Sequence, residues 1–571
     1  MNIETIRHSL SHIMASVVQE LYPGTKFGIG PAIENGFYYD FDLPKKITNE
    51  DLLKIEQKMR EIINKKVFFK KQNISKKEAQ KLFKNQSYKL ELIKELPGTK
   101  VSIYENGKFT DLCKGPHIKS SKEIPADSFK LTKLAGAYWR GSEKNPMLTR
   151  IYGLAFESKE KLNEYVKLQE ETEKRDHRIL GQKLELFLID EEVGAGLPIW
   201  LPKGAILRRV IENYLYEELN KQGYQWLSTP HIGNLNLWKT SGHWDFYREN
   251  MYSPIKIENE EYMLKPMNCP FHVKAYNSKI RSYRELPVFF AELGTVYRYE
   301  RSGTLHGLTR VRGFTQDDAH TICTPEQMPE ELANLLKFAL KVLKTFGFKE
   351  YTIYLSTKPE KYAGKNENWK KATDTLKYVI EKLKLSYQID KGGGVFYGPK
   401  IDIKIKDSLQ REWQCTTIQF DFNLPEKFKM TYIDEKGKKQ EPFMIHRAIL
   451  GSLERFIGVL LEHYAGALPL WLSPVQVLVV PVGSEHRKYA EEIQGKLKSL
   501  GIRTEAKVEA ETVSKKIREG EIQKIPYILV VGDKEIKAKS VRVRQRQKGD
   551  IGEIKFDEFI EKISKGIEEK K

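Results

Sequence analysis

The chain has 571 residues, 40% hydrophobic and 30% charged, a globular composition with room for about three or four domains. Lysine and arginine number 96 against 77 acidic residues, giving a formal charge of +19 and a pI near 9.3. A polyanion, nucleic acid foremost, is therefore the expected partner, although runs such as KKVFFKKQNISKKEAQKLFK also read as ordinary solvated surface. The four cysteines, Cys113, Cys269, Cys323 and Cys415, make no disulfide framework. The N-terminus lacks a signal peptide's apolar core, and the most apolar run, IGVLLEHYAGALPLWL, is interrupted by Glu462 and His463. These features exclude a secreted disulfide scaffold and a membrane span; the expectation is a soluble protein of the reducing cytoplasm.

In chain order, a helix is expected from about Thr5. It places His8 and His12, in IRHSLSHIM, on one face. The zinc-protease pattern H-E-x-x-H needs a glutamate after the first histidine, and Ser9 stands there, which weakens that assignment. Two half-packed histidines on an amphipathic helix remain the alternative. A strand pair follows around GPAIENGFYYDF, then two Lys-rich helices within 49–84. In VSIYENGKFTDLCKGPH, Asn106-Gly107 suits a type I′ turn, so a returning strand delivers Cys113 and His117 at its end. The C-x3-H pair and the two helix histidines together can close around zinc or line a hydrolytic pocket. Asp111 and Lys89 can charge such a pocket, or form a plain surface ion pair. Helical text from Ser158 to about Leu186 then links this unit to the next.

From 187 to 472, long helices alternate with strands. PKIDIKIKD and REWQCTTIQFDF adjoin through a turn, so their sheet should be largely antiparallel. Cys269 follows the strand-like EYMLKPMN, His320 ends RGFTQDDAH, and His446 is expected to open the helix that runs through LGSLERF. One Cys and two His make a three-ligand zinc site with a vacant position. No P-loop occurs: GGVFYGPK puts Pro399 where a phosphate-cradling donor belongs. Any polyphosphate must then be held by arginines, whose forked guanidinium groups match phosphate oxygens. The candidates are Arg298, with Glu300, on an expected strand, and Arg310 and Arg312 on an expected return strand beyond a Gly-rich loop with His306. Arg455 joins them from the last helix, where small Gly451 and Ser452 permit close approach. After Pro474 the alternation of β and α predicts a small, mostly parallel sheet covered by helices.

The segments KPMNCPFH, YRYERSGTLHGLTRVRGFTQDDAH, FYGPKID, QCTTIQFDF and MIHRAILGSLERF, with RHSLSH and DLCKGPH nearer the N-terminus, resemble the motifs of the threonyl-tRNA synthetases, class II aminoacyl-tRNA synthetases, along essentially the whole chain. The resemblance implies an α+β multidomain protein: an N-terminal α+β editing domain (1–150), a linker helix (151–186), a class II catalytic domain on an antiparallel sheet of six to seven strands (187–472), and a C-terminal α/β anticodon-binding domain (473–571). By the same resemblance, Cys269, His320 and His446 would bind one zinc per subunit, and Met267 and Asp318 would line the amino-acid pocket, completed by Gln414, Gln419, Tyr397 and Lys400. Arg298 would hold the ATP α-phosphate, Glu300 the adenine, and Arg310 and Arg455 the outer phosphates with Mg²⁺; Gln419 counts among the ATP contacts as well. His8, His12, Lys89, Asp111, Cys113 and His117 would form the site that hydrolyses seryl-tRNA(Thr), whether or not it binds a metal. Glu535 and Arg544 resemble anticodon-reading positions, or are exposed charges. Pro230 in STPHI matches the dimer-interface motif, implying a homodimer that takes ATP, L-threonine and tRNA(Thr).

Such a metal has a chemical purpose. An apolar pocket separates near-isosteric threonine and valine by only roughly 1 to 3 kcal/mol, whereas a metal gripping both amine and hydroxyl refuses valine. Serine satisfies the metal too, which makes a second, hydrolytic site necessary. Three departures stand out. Relatives commonly begin with a small ubiquitin-like domain, expected to be missing because Met1 lies almost at the first helix. Thr416 and Gly393 replace a usual glycine and acidic residue. The alternatives are an RNA-binding regulatory paralogue that does not charge tRNA, and a zinc hydrolase acting in trans on misacylated tRNA, which would leave 187–472 idle.

Overall fold

The first helix, Ile3–Leu21, begins where the Asn2 side chain accepts the Glu4 N–H, and it buries Ile6, Leu10, Ile13, Met14, Val17 and Val18. That three-to-four spacing makes one apolar stripe, which packs with Phe37, Tyr39, Phe41 and Ile151 of a sheet. In the computed structural model, which describes residues 2–570, the chain divides into two units, Met1–Glu171 and Thr172–Lys571. The first unit has a five-stranded antiparallel sheet, including Gly36–Asp42, Phe129–Tyr138 and Met147–Ala155, and a three-stranded one made of Phe69–Ser75, Lys100–Asn106 and Phe109–Leu112. The expected hairpin forms with its turn one residue late. Asn106 pairs with Phe109, and of the two linking residues only Gly107 takes positive φ, +64°. That is the pattern of a II′ turn rather than a I′ turn, because glycine supplies left-handed backbone at the first central position.

The second unit is built on an eight-stranded sheet ordered Gln225–Trp226, Val288–Tyr297, Gly313–Cys323, Phe443–Ser452, Glu412–Asp421, Lys400–Lys406, Tyr351–Ser356, Tyr387–Asp390. Its centre is antiparallel as expected, whereas both edge strands pair in parallel. Along these strands, Ala319, Ile445, Ile418, Phe420, Ile401 and Ile403 enter a core shared with the helices Pro202–Lys221, Met328–Thr345, Asn366–Lys382 and Leu453–His463. Their neighbours His320, His446, Gln419, Lys400 and Asp402 alternate with them in sequence and so face the other side.

Two expected assignments change. Arg298, Glu300, Arg310 and Arg312 lie not on strands but in the loop between Val288–Tyr297 and Gly313–Cys323, which holds only a short turn, Ser302–Thr304. Its charged, Gly-containing text has no apolar alternation to bury, and Gly307 takes φ +48°. His446 sits inside the Phe443–Ser452 strand; the helix starts at Leu453, where the Ser452 hydroxyl accepts the Arg455 N–H and caps it.

Beyond Pro474 the sheet runs Thr504–Ala506, Val477–Pro481, Tyr527–Val531, Ser540–Gln545, Gly549–Lys555. The first three strands are parallel, but the last two join antiparallel, so the sheet is mixed rather than mostly parallel. The physical reason is connection length: only eight residues, Gly532, the helix Asp533–Ala538 and Lys539, separate Tyr527–Val531 from Ser540–Gln545, too few for a parallel crossover.

A buried carboxylate braces the central strands. Asp317 accepts the N–H groups of Ile449, Leu450 and Gly451 at 2.8, 3.0 and 2.9 Å and meets the Arg447 guanidinium at 3.3 Å. Replacing Asp317 with Ala orphans those donors and a buried cation, so a loss of roughly 3 to 5 kcal/mol in denaturant unfolding of the second unit is expected. A loss under about 1 kcal/mol would contradict this account.

Candidate active site

Register builds the site. Phe290 pairs with His320, His320 with His446, His446 with Gln419, Gln419 with Lys400 and Lys400 with Ser356. Directly paired residues point to the same face, so one row across six strands carries two imidazoles, an amide and an ammonium. The neighbouring row carries Glu292, Asp318, Ala448, Thr417 and Asp402.

Above this face Cys269 opens the helix Cys269–Tyr276. The ligand atoms of Cys269, His320 and His446 lie within 4.8 Å of one another, and all three residues are buried. His320 Nε2 and His446 Nδ1 face each other at 2.9 Å. The outward nitrogens are engaged elsewhere: His320 Nδ1 with His272 Nδ1 at 2.8 Å and His446 Nε2 with Asp421 Oδ2 at 2.7 Å. His272 Nε2 in turn contacts Glu292 Oε2 at 3.1 Å. Second-layer partners of this kind fix ring orientation and leave the inward nitrogens free as lone pairs, so the donor set fits a zinc ion. Burial pushes the Cys269 thiol up and the His320 imidazole down.

The amino-acid candidates gather around the trio. Asp318 Oδ2 accepts from Asn268 Nδ2 at 3.0 Å, and burial raises its carboxyl. The Tyr397 hydroxyl donates to Gln419 Oε1 at 2.5 Å, with its ring 5.1 Å from that of His446. Met267 Sδ lies 3.1 Å from His243 Nε2. Lys400 pairs with Asp402 at 2.7 Å, and Asp402 also accepts from Gln414 Nε2 at 2.8 Å.

A cavity of about 280 Å³ collects Arg298, Glu300, Arg310, Gln414 and Arg455, with Phe314 in its wall. Arg310 Nε donates to Glu300 Oε2 at 3.0 Å, Arg455 Nε to the Thr309 carbonyl at 3.0 Å, and the Arg298 guanidinium lies 5.0 Å over the Phe314 ring. Burial lowers the Arg455 guanidinium, and the like charges of Arg298 and Arg310 lower it further. Three cations facing one carboxylate make a hole shaped for an anion. Gln419 is not among the residues lining this cavity; it stands beside Tyr397 and the metal candidates.

In the first unit, His8, His12, Cys113 and His117 converge, their ligand atoms within 4.8 Å of one another. Cys113 Sγ is 3.3 Å from both His8 Nε2 and His117 Nε2. Ser9, the residue that spoils the protease pattern, has a role of its own. Its hydroxyl meets His117 Nδ1 at 3.1 Å and accepts the Ile118 N–H at 3.1 Å, tying the first helix to the C-x3-H loop. Behind the cluster lies a buried group in which Lys89 contacts Asp111, the Tyr39 hydroxyl donates to Asp111 Oδ2 at 2.5 Å, and Lys89 Nζ donates to Tyr39 Oη at 3.0 Å. Asp111 and Lys89 are thus interior, not a surface pair. Burial holds all three imidazoles below the ordinary histidine range and lifts the Cys113 thiol to about 11. At neutral pH the cluster offers neutral imidazoles, whose ring nitrogens can hold a water or a metal, and no thiolate. A cavity of about 300 Å³ opens onto His8 between Thr5 and Pro116.

Among the C-terminal candidates, Glu535 is buried and its carboxylate accepts the Gly532 N–H at 2.9 Å, capping the helix Asp533–Ala538. Arg544 Nη2 meets Glu521 Oε1 at 3.2 Å and lines a cavity of about 260 Å³ with Arg546 and Gln547. Sequence reasoning missed His243, His272, Ser9 and Tyr39. His243 is fully buried, its Nδ1 is 2.7 Å from Ser241 Oγ, and burial presses its imidazole down to about 3. No spacing rule marks it. His272, by contrast, stands in KPMNCPFH, three residues past Cys269, so helical periodicity would have placed it near that thiol.

Three family profiles match the chain: "Threonyl and Alanyl tRNA synthetase second additional domain" over residues 101–152, "tRNA synthetase class II core domain (G, H, P, S and T)" over 252–464, and "Anticodon binding domain" over 476–566. A threonine–tRNA ligase of Sulfurihydrogenibium sp. (strain YO3AOP1) is 55% identical, covering 100% of this chain and 89% of its own length. That of Aquifex aeolicus (strain VF5) is 53% identical, covering 100% and 90%. Among solved structures, the RNA binding domain of a threonyl-tRNA synthetase from Cryptosporidium parvum Iowa II superposes with a TM-score of 0.66 at 41% identity, covering 68% of this chain and 98% of that one. With identity this high along the entire sequence, and with a sheet that carries the expected residues on one face, the chain belongs to the threonyl-tRNA synthetase family of class II aminoacyl-tRNA synthetases.

Proposed function

We propose that the protein activates L-threonine with ATP, transfers it to the 3′-terminal adenosine of tRNA(Thr), and hydrolyses seryl-tRNA(Thr) formed in error. The observation that carries this is the meeting, on one sheet face, of a buried Cys-His-His trio with an arginine-lined anion cavity. In activation, a threonine carboxylate oxygen attacks the ATP α-phosphorus and pyrophosphate leaves; the adenosine hydroxyl then attacks the threonyl carbonyl and AMP leaves. Neither step needs a protein nucleophile. Arg298 and Arg455 supply fixed positive charge where negative charge builds on phosphate, and the face between Met267, Tyr397 and Asp318 orients the amino acid. Cys269, His320 and His446 would hold a zinc ion, which would supply Lewis-acid recognition of the substrate amine and hydroxyl together, a pair that valine lacks. Mg²⁺ accompanies ATP.

Editing is assigned to residues 1–150 with the end of the strand Met147–Ala155, linkage to the helical segment that follows it up to 186, aminoacylation to 187–472 and anticodon recognition, with Arg544 at its cavity, to 473–571. The imidazoles of His8, His12 and His117, kept neutral by burial, suit the positioning of a water molecule through their ring nitrogens, and Lys89, Asp111 and Tyr39 hold the floor of that pocket. A homodimer is supported by Ile232, Ile255 and Ile257, exposed on the small sheet that follows Pro230. Four free thiols accord with the cytoplasm.

ATP–pyrophosphate exchange tests the synthetic reaction: threonine should lead, serine follow and valine stay near background. Cys269→Ala or a zinc chelator should lower exchange at least about a hundredfold; exchange led by another amino acid would overturn the assignment. For editing, His117→Ala should leave threonine exchange intact while seryl-tRNA(Thr) accumulates, and unchanged deacylation would remove the histidine cluster from that role.

The same histidines set a pH dependence. Their folded-state pKa values lie below the ordinary 6.5, so on acidification the unfolded chain takes up protons first. The stabilisation is complete above about pH 6.5 and declines as pH falls, by up to about 1.4 kcal/mol per pH unit for each proton. Hydrogen-exchange protection of the helix Ile3–Leu21, corrected for intrinsic rate, should drop between pH 7.5 and 5.5; equal protection would contradict the burial argument.

A further inference from the structure

The segment that opens the second unit carries another cluster of metal-ligating type, Asp176, His177 and Glu462. Its ligands are already spent. Arg411 Nη2 donates to Glu462 Oε2 at 2.5 Å, and Asp176 accepts from Arg178. His177 has no exposed surface. Its Nδ1 lies 2.6 Å from Glu462 Oε1, which also accepts the His177 backbone N–H at 3.2 Å, and its Nε2 receives the backbone N–H of Leu308 at 2.9 Å. An ionised carboxylate only accepts and an amide N–H only donates, so the ring is held as one tautomer, proton on Nδ1 and lone pair on Nε2.

Leu308 is in the loop that carries Glu300 and Arg310. The next residue, Thr309, accepts Arg455 Nε on its carbonyl, and His306 and Arg310 bridge across the same turn. The loop lies hard against the ring: a Cβ built on Gly307 would stand 2.1 Å from His177 Nε2, on backbone at φ +48°. The Leu453–His463 helix borders the ring from another side at Gly458, whose Cβ position is 3.4 Å from His177 Cδ2.

We propose that His177 is a positioning residue for ATP. It never touches the nucleotide; through one hydrogen bond to Leu308, and backed by Glu462 and Arg411, it sets the loop on which Arg310 and the Thr309–Arg455 contact depend. The inference rests on the ATP reading of the arginine cavity and names a residue outside that cavity. It separates ATP binding from threonine binding, because nothing in the His177 group reaches the Cys269, His320 and His446 side of the sheet.

The test uses the full chain and two substitutions that divide the ring's roles. His177→Asn keeps a donor near the Nδ1 position for Glu462 but falls short of Leu308, whereas His177→Gln places an acceptor at the reach of Nε2. Titration calorimetry with Mg-ATP should show affinity about tenfold weaker for His177→Asn and within about twofold of the parent for His177→Gln. In exchange assays the KM for ATP should rise correspondingly while the KM for threonine stays within about twofold. If His177→Asn fails to fold, Gly307→Ala, whose Cβ would be driven against His177 Nε2 and so force loop and ring apart, should show the same ATP-selective loss. Unchanged ATP affinity in a folded His177→Asn or Gly307→Ala protein overturns the proposal, as does an equal fall in kcat for Asn and Gln with unaltered KM. Absence of threonine exchange in the parent protein would instead defeat the functional reading, while calorimetry still decides the role of His177.

Discussion

The second unit depends above all on strand register. Because side chains alternate along a strand and pair directly across it, the match of His320 with His446 and of His446 with Gln419 decides that imidazoles and amide share one face. A slip of one residue would send Ala319 and Ile445 to the site and the histidines into the core. Asp317 opposes such a slip: its carboxylate collects three consecutive N–H groups of the partner strand, a geometry that other alignments do not satisfy. Recognition chemistry and structural bracing thus occupy adjacent residues, Asp317 facing the partner backbone and Asp318 the open side.

Charge organises the rest of that face. A chain carrying +19 has many lysines to spread over its surface, but the cavity uses arginines, whose forked donors suit phosphate and whose flat faces pack on rings such as Phe314. Arg298, Arg310 and Arg455 face one carboxylate, so electrostatic tension is left for an anion to relieve. Holding three like charges near one another costs stability, and the loop that bears Arg298 and Arg310 would relax away from Arg455 unless its backbone were tied down. The contacts of Thr309 with Arg455 and of Leu308 with His177 fix it.

The first unit uses burial for a different end. There the cations and anions are paired out of reach of water, Lys89 with Asp111 beneath Tyr39, and the histidines above them remain neutral because desolvation outweighs the nearby carboxylate. Ser9 shows how one motif position can mislead. As the residue following a histidine it breaks a metalloprotease pattern; as a hydroxyl facing His117 it completes a cluster of another kind.

The sequence by itself determined the chain's class, its succession of α+β, antiparallel-sheet and α/β regions, and most of the candidate site. Those features rest on local periodicity, on turn residues such as Gly107, and on motif text whose chemistry is readable without coordinates. It also drew Cys269, His320 and His446 together as one ligand set, although it put His446 on a helix. The strand ended later than the text suggested because apolar alternation and helical spacing overlap in MIHRAIL, and a capping hydroxyl at Ser452 settles the boundary. Only the tertiary structure decided what lies behind the site: His243, Tyr39 and His177 are each recruited by hydrogen-bond demands from partners well separated in the chain. An unsatisfied polar group in a core is expensive wherever its partner lies along the chain, and that demand leaves no spacing in the sequence to be read.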